Sequence, residues 1–163
     1  MARYIELRFV NENIAVRARL LQEEMPRTCA ELMRAMPLEG TAIHARYSGS
    51  EVAMLIPKSV RIEREKATCA VLPGEVAYVW LNRDDHYGLD DDVSEICWFY
   101  DRDSRPQMFE GPVSVNVFAR IEGDATEFFK ACADTRMTGA KRFRISLVQQ
   151  SCRRLPAKHA KGR

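Results

Sequence analysis

The sequence predicts a mostly β protein with two α-helices, in which the strands close into one barrel and the helices cap it. Three observations carry this. The chain opens with two stretches of period-two alternation around an Asn-containing connection. Helical periodicity surfaces in only two places, one near the start and one near the end. Between them lie many short apolar stretches separated by Gly, Pro and polar residues. A sheet with that many strands would expose edges, and closing it into a barrel removes them.

The elements follow in chain order. In Tyr4–Phe9, Ile5, Leu7 and Phe9 alternate with Tyr4, Glu6 and Arg8. After Asn11-Glu12-Asn13 the pattern resumes with Ile14, Val16, Ala18 and Leu20 on one face, which predicts an antiparallel hairpin with one buried side. Cys29, Leu32, Met33 and Met36 then fall at i, i+3, i+4 and i+7, so Pro26–Met36 reads as a helix. Pro26 suits its first turn and Pro37 ends it. A strand pair is expected at Thr41–Tyr47 and Glu51–Ile56 across Ser48-Gly49-Ser50, with further strands at Ile62–Glu65, Cys69–Leu72, Val76–Leu81 and Ile96–Tyr100. Polar Asn82–Asp92 reads as a loop. The next strand carries Val113, Val115, Val117, Ala119 and Ile121 on one face and Ser114, Asn116, Phe118 and Arg120 on the other. Asp124 followed by Glu127 reads as a capping box before a second helix, with Gly139 past its end. Phe143, Ile145 and Leu147 mark a closing strand.

With 163 residues, 46% of them hydrophobic and 29% charged, the chain has the balance of a globular protein able to build its own core. One domain is expected over 1–152. Residues 153–163 form a basic tail carrying Arg153, Arg154, Lys158, Lys161 and Arg163, which reads as a solvated terminus. The formal charge is +2, but without those five residues the body is mildly acidic, which argues against a nucleic-acid surface. No apolar run is long enough to span a bilayer and the first residues lack the apolar core of a signal peptide, so a cytoplasmic protein with no membrane partner is expected. Five scattered cysteines without a C-x-x-C pair fit reduced thiols in that compartment.

The order of elements resembles the cyclophilin-like barrel, and Pro26-Arg27-Thr28 and Ile43-His44-Ala45-Arg46 match its helix entry and its His- and Arg-bearing strand. More closely, MPRTCAELMRAMPLEG, IHARYSGSEVAMLIP, LPGEVAYVW and GPVSVNVFARI resemble a bacterial family of uncharacterised cyclophilin-like proteins. The resemblance implies a closed cyclophilin-like β-barrel capped by two helices, and it brings no established activity. The Gly- and Asn-rich segments of the prolyl isomerase groove have no counterpart here, and Ala45 separates a His and an Arg that are adjacent in the isomerase motif.

Candidate functional residues come from faces of strands. His44, Arg46 and Ser48 share one face if Ile43, Ala45 and Tyr47 share the other, and an Arg between a His and a Ser suits a carboxylate or carbonyl. The bland alternative pairs Arg46 with Glu51 across the turn and leaves His44 at the surface. Asn116 offers an amide donor and acceptor, Phe118 an apolar wall, and Tyr78 a phenol beside Trp80 on its strand. Packing under the helices is the competing reading for the aromatics. The acidic run Asp84–Asp92 with His86 lacks the register of a calcium loop, so neither metal nor cofactor is expected. There is no nucleophile elbow, phosphate loop or dinucleotide fingerprint. The expectation is therefore a protein that binds a small polar molecule bearing a carboxylate, amide or urea-like group, through Arg46, His44, Ser48, Glu51, Tyr78, Asn116 and Phe118. The alternatives are a hydrolase or isomerase in which His44 or Glu51 moves protons, and a protein-interaction module; a homodimer is compatible with either.

Overall fold

The computed structural model describes residues 3–149, so the basic tail and Cys152 lie outside the described residues. The chain runs β1 (Tyr4–Phe9), β2 (Ile14–Leu20), α1 (Pro26–Ala35), β3 (Leu38–His44), β4 (Glu51–Ile56), β5 (Glu75–Leu81), β6 (Val93–Phe99), β7 (Gln107–Met108), β8 (Gly111–Pro112), β9 (Asn116–Glu122), α2 (Thr126–Thr138) and β10 (Lys141–Leu147). Eight strands close into an antiparallel barrel in the order β1-β10-β3-β4-β6-β5-β9-β2, and β7 and β8 form a separate hairpin. The mostly β, two-helix barrel expected from the sequence is the fold.

The opening hairpin pairs Phe9 with Ile14 and Leu7 with Val16, and Asn13 takes the left-handed conformation its turn demands. Its alternating apolar residues point into the barrel with Phe143 and Ile145 of β10. Trp98 stacks on Phe143 at 4.3 Å and donates its indole N–H to Cys132 Sγ, which ties β6 to α2. Helix α1 lies against β9 and α2 against β2, β3 and β4.

Helix α1 has no side-chain cap at Met25. Glu65, far along the chain, supplies one: its carboxylate accepts from the backbone N–H of Arg27 (3.1 Å) and Thr28 (2.8 Å) and from Thr28 Oγ1 (2.6 Å). A carboxylate there complements the positive end of the helix. At α2, Asp124 accepts from the Thr126 N–H and hydroxyl, while the helix itself runs from Thr126 and ends, as expected, before Gly139 at positive φ.

Two expectations are corrected. Ile62–Glu65 and Cys69–Leu72 are not strands; among the described residues that stretch makes only an isolated bridge from Thr68 to Val115. Side chains replace the missing ladder. Tyr78 Oη accepts from Ile62 N–H and donates to Val60 O, and Asn116 accepts from Glu65 N–H and donates to Glu63 O. The second correction concerns β9. The register against β5 jumps between Val76, opposite Ala119, and Ala77, opposite Val117. The extra residue is Phe118, a β-bulge, so the faces exchange there. Phe118 and Ala119 both enter the barrel core, while Val115 and Val117 join a second apolar cluster.

That second cluster positions the site. Strands β1, β2 and β10 alternate between core and solvent, but β5 is buried along nearly its whole length and β4 along most of its own. The outward residues Ala53, Ala77, Val79, Leu81, Cys97, Phe99, Val115 and Val117 pack under Val71, Leu89, Met108 and Val113. Strands covered on both faces read as continuous apolar runs, which is why β4, β5 and β6 show so little alternation.

Candidate functional site

Between the outer face of β4, β6 and β5 and the segments folded over it lies a pocket of about 300 Å³. Its base follows from the strand register. Ala53 faces Cys97 across β4–β6, and Cys97 faces Ala77 across β6–β5, so one row of the sheet carries only small side chains. The next row pairs Leu55 with Glu95 and Glu95 with Val79. Glu51, opposite Phe99, lies on the other side of the small row. The gap lets Glu51, Glu95 and Cys97 converge, with their ligand atoms all within 4.8 Å of one another. Met108, Leu89 and Val113 supply apolar walls, and the exposed Arg46 also lines the pocket.

The electrostatics of this base are unusual. Glu51 is 5% exposed and its Oε2 has no hydrogen-bond partner. Burial pushes the Glu51 carboxyl up to about 8; the neighbouring Glu95 adds to the rise, and Ser48 and Cys97 offset only part of it. Burial likewise raises Glu95 to about 7. Burial and the two carboxyls drive the Cys97 thiol well above its ordinary value, so near neutrality it stays a thiol. Two carboxyls this close hold protons jointly rather than ionising independently.

The expected site residues divide into groups. Arg46, Ser48 and Glu51 all line the pocket. Ser48 Oγ accepts from Gln107 N–H and donates to Gln107 O, both at 3.1 Å, so it fastens the β7–β8 hairpin over the pocket. Arg46 is exposed, and the pairing with Glu51 does not form, because Glu51 is buried with Oε2 unpaired. His44 touches the pocket edge, but its ring is committed elsewhere. Nδ1–H donates to Ala45 O (2.8 Å), and Nε2 accepts from Tyr100 Oη (2.7 Å) and Arg136 Nε (2.9 Å). Burial, joined by the Arg136 charge, lowers its pKa, leaving a neutral imidazole.

The remaining three lie elsewhere. Tyr78 and Asn116 border a different hollow of about 380 Å³ beside Arg61 and Trp80, and both are buried with their polar atoms engaged. Asn116 also donates to Thr28 Oγ1, so its amide holds the Glu65 cap in place. Phe118 is fully buried in the barrel interior, on the face opposite to the one expected, because of the bulge. Sequence reasoning missed Glu95 and Cys97. A signal exists for them: Glu95 is the one charged residue of β6, and Glu51, Glu95 and Cys97 sit on the same outward face once β4 and β6 are paired. The acidic loop is a different matter. Asp91 pairs with Lys58, and Asp92 accepts from Arg83 N–H, as a solvated loop would.

Barrel and pocket together define a closed eight-stranded antiparallel barrel that carries its cavity on the outer wall, under a small hairpin. The chain belongs to the DUF3830 family, described as proteins of unknown function, whose model matches residues 8–147. No curated protein matches the chain by sequence. Among solved structures, McbB in complex with tryptophan superposes with a TM-score of 0.62 at 18% identity, covering 87% of this chain and 44% of that one. This chain thus spans less than half the length of McbB. The solution structure of the hypothetical protein AF2241 from Archaeoglobus fulgidus matches with a TM-score of 0.53 at 19% identity, over 89% of this chain and 94% of that one. At such identities the likeness concerns the fold. No helix among the described residues is long and apolar enough to cross a membrane.

Proposed function

We propose that this protein binds a small molecule in the outer-wall pocket, with a carboxylate or carbonyl end at Arg46 and an apolar body against Met108, Leu89 and Val113. One observation carries the reading: an apolar pocket whose lining holds both the converging Glu51 and Glu95 carboxyls and the exposed Arg46. That combination of apolar wall and few placed polar groups is the usual form of a ligand site. The paired carboxyls receive a hydrogen-bonding or cationic group of the ligand, so an amide, a urea or an amine fits the inner end. McbB was solved with tryptophan, which combines a carboxylate, an amine and an apolar body, and amino acids therefore belong in the test set.

Ser48 acts by holding the hairpin, and His44 by fixing the end of β3 against α2, so neither contacts the ligand through its polar atoms in this reading. The test is a thermal-shift screen of carboxylates, amides, ureas and amino acids on the wild type and on Arg46→Ala. A ligand at 100 times its dissociation constant adds about 2.7 kcal/mol of stability. The expected result is a hit whose stabilisation is lost in Arg46→Ala; a hit indifferent to Arg46→Ala contradicts the placement.

The buried carboxyl pair also supports an enzymatic reading, in which Glu51 rather than His44 moves the proton. A carboxyl raised to about 8 is poised for acid–base work near neutrality, whereas the His44 ring nitrogens are already engaged. Incubating any hit with the protein and assaying for product, with Glu51→Gln as the control, separates binding from turnover.

A further inference from the structure

We propose that Glu51, Glu95 and Cys97 form a binding site for one divalent transition-metal ion of the zinc type, with its remaining coordination position open to the pocket. The inference does not rest on the ligand reading, although the two share a cavity. Two carboxylate oxygens and one thiol sulfur lie within 4.8 Å of one another, a spread that small side-chain rotations bring to bonding distance around one ion. They are held by β4 and β6, adjacent strands in the barrel wall, and the small Ala53 opposite Cys97 leaves room between them. The second, independent observation is Glu51 Oε2, an oxygen with no hydrogen-bond partner on a residue only 5% exposed. A buried acceptor of that kind is ordinarily partnered, and a bound cation would supply the partner.

The donor set selects the metal class. Calcium and magnesium take oxygen ligands in larger number and have no use for a thiolate. Sulfur with two carboxylate oxygens suits zinc and its neighbours, and three protein ligands with one position left open is the pattern of reactive rather than structural zinc sites. The sequence concealed this site because its three ligands are spread over residues 51–97 without a short-range motif.

The test uses the full chain, stripped with chelator and free of any organic ligand. Zinc is titrated in competition with a chromophoric chelator, and cobalt(II) is followed by absorption. One equivalent is expected per chain, with a thiolate-to-cobalt charge-transfer band. Cys97→Ser abolishes the band, and Cys97→Ser, Glu51→Gln and Glu95→Gln each weaken zinc binding by roughly 10–100-fold or more. Asp91→Asn, on the loop outside the pocket, leaves zinc affinity within a few-fold. Melting curves of the metal-free variants establish that each is folded, and Glu95→Gln carries the test should Cys97→Ser not fold. Absence of a stoichiometric site overturns the proposal. So does a charge-transfer band that survives in Cys97→Ser, which places the metal on another thiol. A failed metal titration with a successful ligand screen removes the metal alone, and the reverse outcome removes the ligand reading alone.

Discussion

Replacing Glu51 by Gln is expected to stabilise the metal-free protein at alkaline pH and to leave it nearly unchanged at acid pH. The folded protein raises this carboxyl from 4.5 to about 8, chiefly by burying it. A carboxyl with a raised folded-state pKa binds its proton more tightly in the native than in the unfolded chain. The contribution of Glu51 to stability is therefore greatest below about 4.5, falls as pH rises, and levels off above about 8. Every tenfold gain in proton affinity is worth about 1.4 kcal/mol, so ionising Glu51 in place costs on the order of 4 kcal/mol, with part of that sum shared with Glu95. Gln has nearly the same shape and no acidic proton to lose. A gain of about 2–4 kcal/mol at pH 9 is expected, against less than about 1 kcal/mol at pH 5. For a chain of this size that is roughly 5–15 °C in Tm. The assay is thermal unfolding of both proteins from pH 5 to pH 9 in chelator. Melting temperatures that differ by the same amount at both ends refute the reasoning, because they show that Glu51 ionises without penalty.

Other perturbations test the frame around the pocket. Glu65→Gln keeps the shape of the α1 cap but removes its charge, and should cost about 1–2 kcal/mol by chemical denaturation at pH 7. Burial pushes Glu65 up, but the Thr28 and Arg27 donors outweigh it and hold its pKa below the ordinary value. Its contribution is therefore present above about 4.5 and disappears as pH falls through the lowered pKa, so the two proteins should converge in acid. Tyr78→Phe strips the hydroxyl shared by Val60 O and Ile62 N–H, and a loss of about 1–3 kcal/mol is expected, with faster hydrogen exchange at Ile62. Gly49→Ala places a Cβ 2.4 Å from Asp103 O at a φ of +72°, so it should destabilise by more than about 2 kcal/mol and disturb the turn that carries Arg46 and Ser48.

How much was legible in the sequence depends on where each residue's environment comes from. The opening hairpin and both helices are specified by local pattern, because one face of each meets the core and the other meets solvent. The wall formed by β4, β5, β6 and β9 is less readable, since apolar residues there face both the barrel interior and the covering loops, and periodicity loses its meaning. The β9 bulge is invisible to an alternation count, and it alone reverses the expected positions of Val117 and Phe118. Segment 57–72 looks strand-like because Ile62 and Val71 are apolar, yet its backbone is satisfied by Tyr78 and Asn116 rather than by a neighbouring strand. The site divided in the same way. Arg46, Ser48 and Glu51 line one pocket although β3 stops at His44, so Arg46 and Ser48 sit in the turn and not on the strand face expected for them, while Glu95 and Cys97 join them only through the pairing of β4 with β6.

In the proposed reading, ligands enter the outer-wall pocket rather than the hollow beside Trp80. Chemical-shift mapping of the isotope-labelled protein with the strongest screening hit tests it most directly. Perturbations are predicted to concentrate at Arg46, Glu51, Glu95, Cys97 and Met108, and to vanish in Arg46→Ala. Shifts confined to Arg61, Trp80 and Ser114, with the Glu51 and Cys97 signals unmoved, would contradict it.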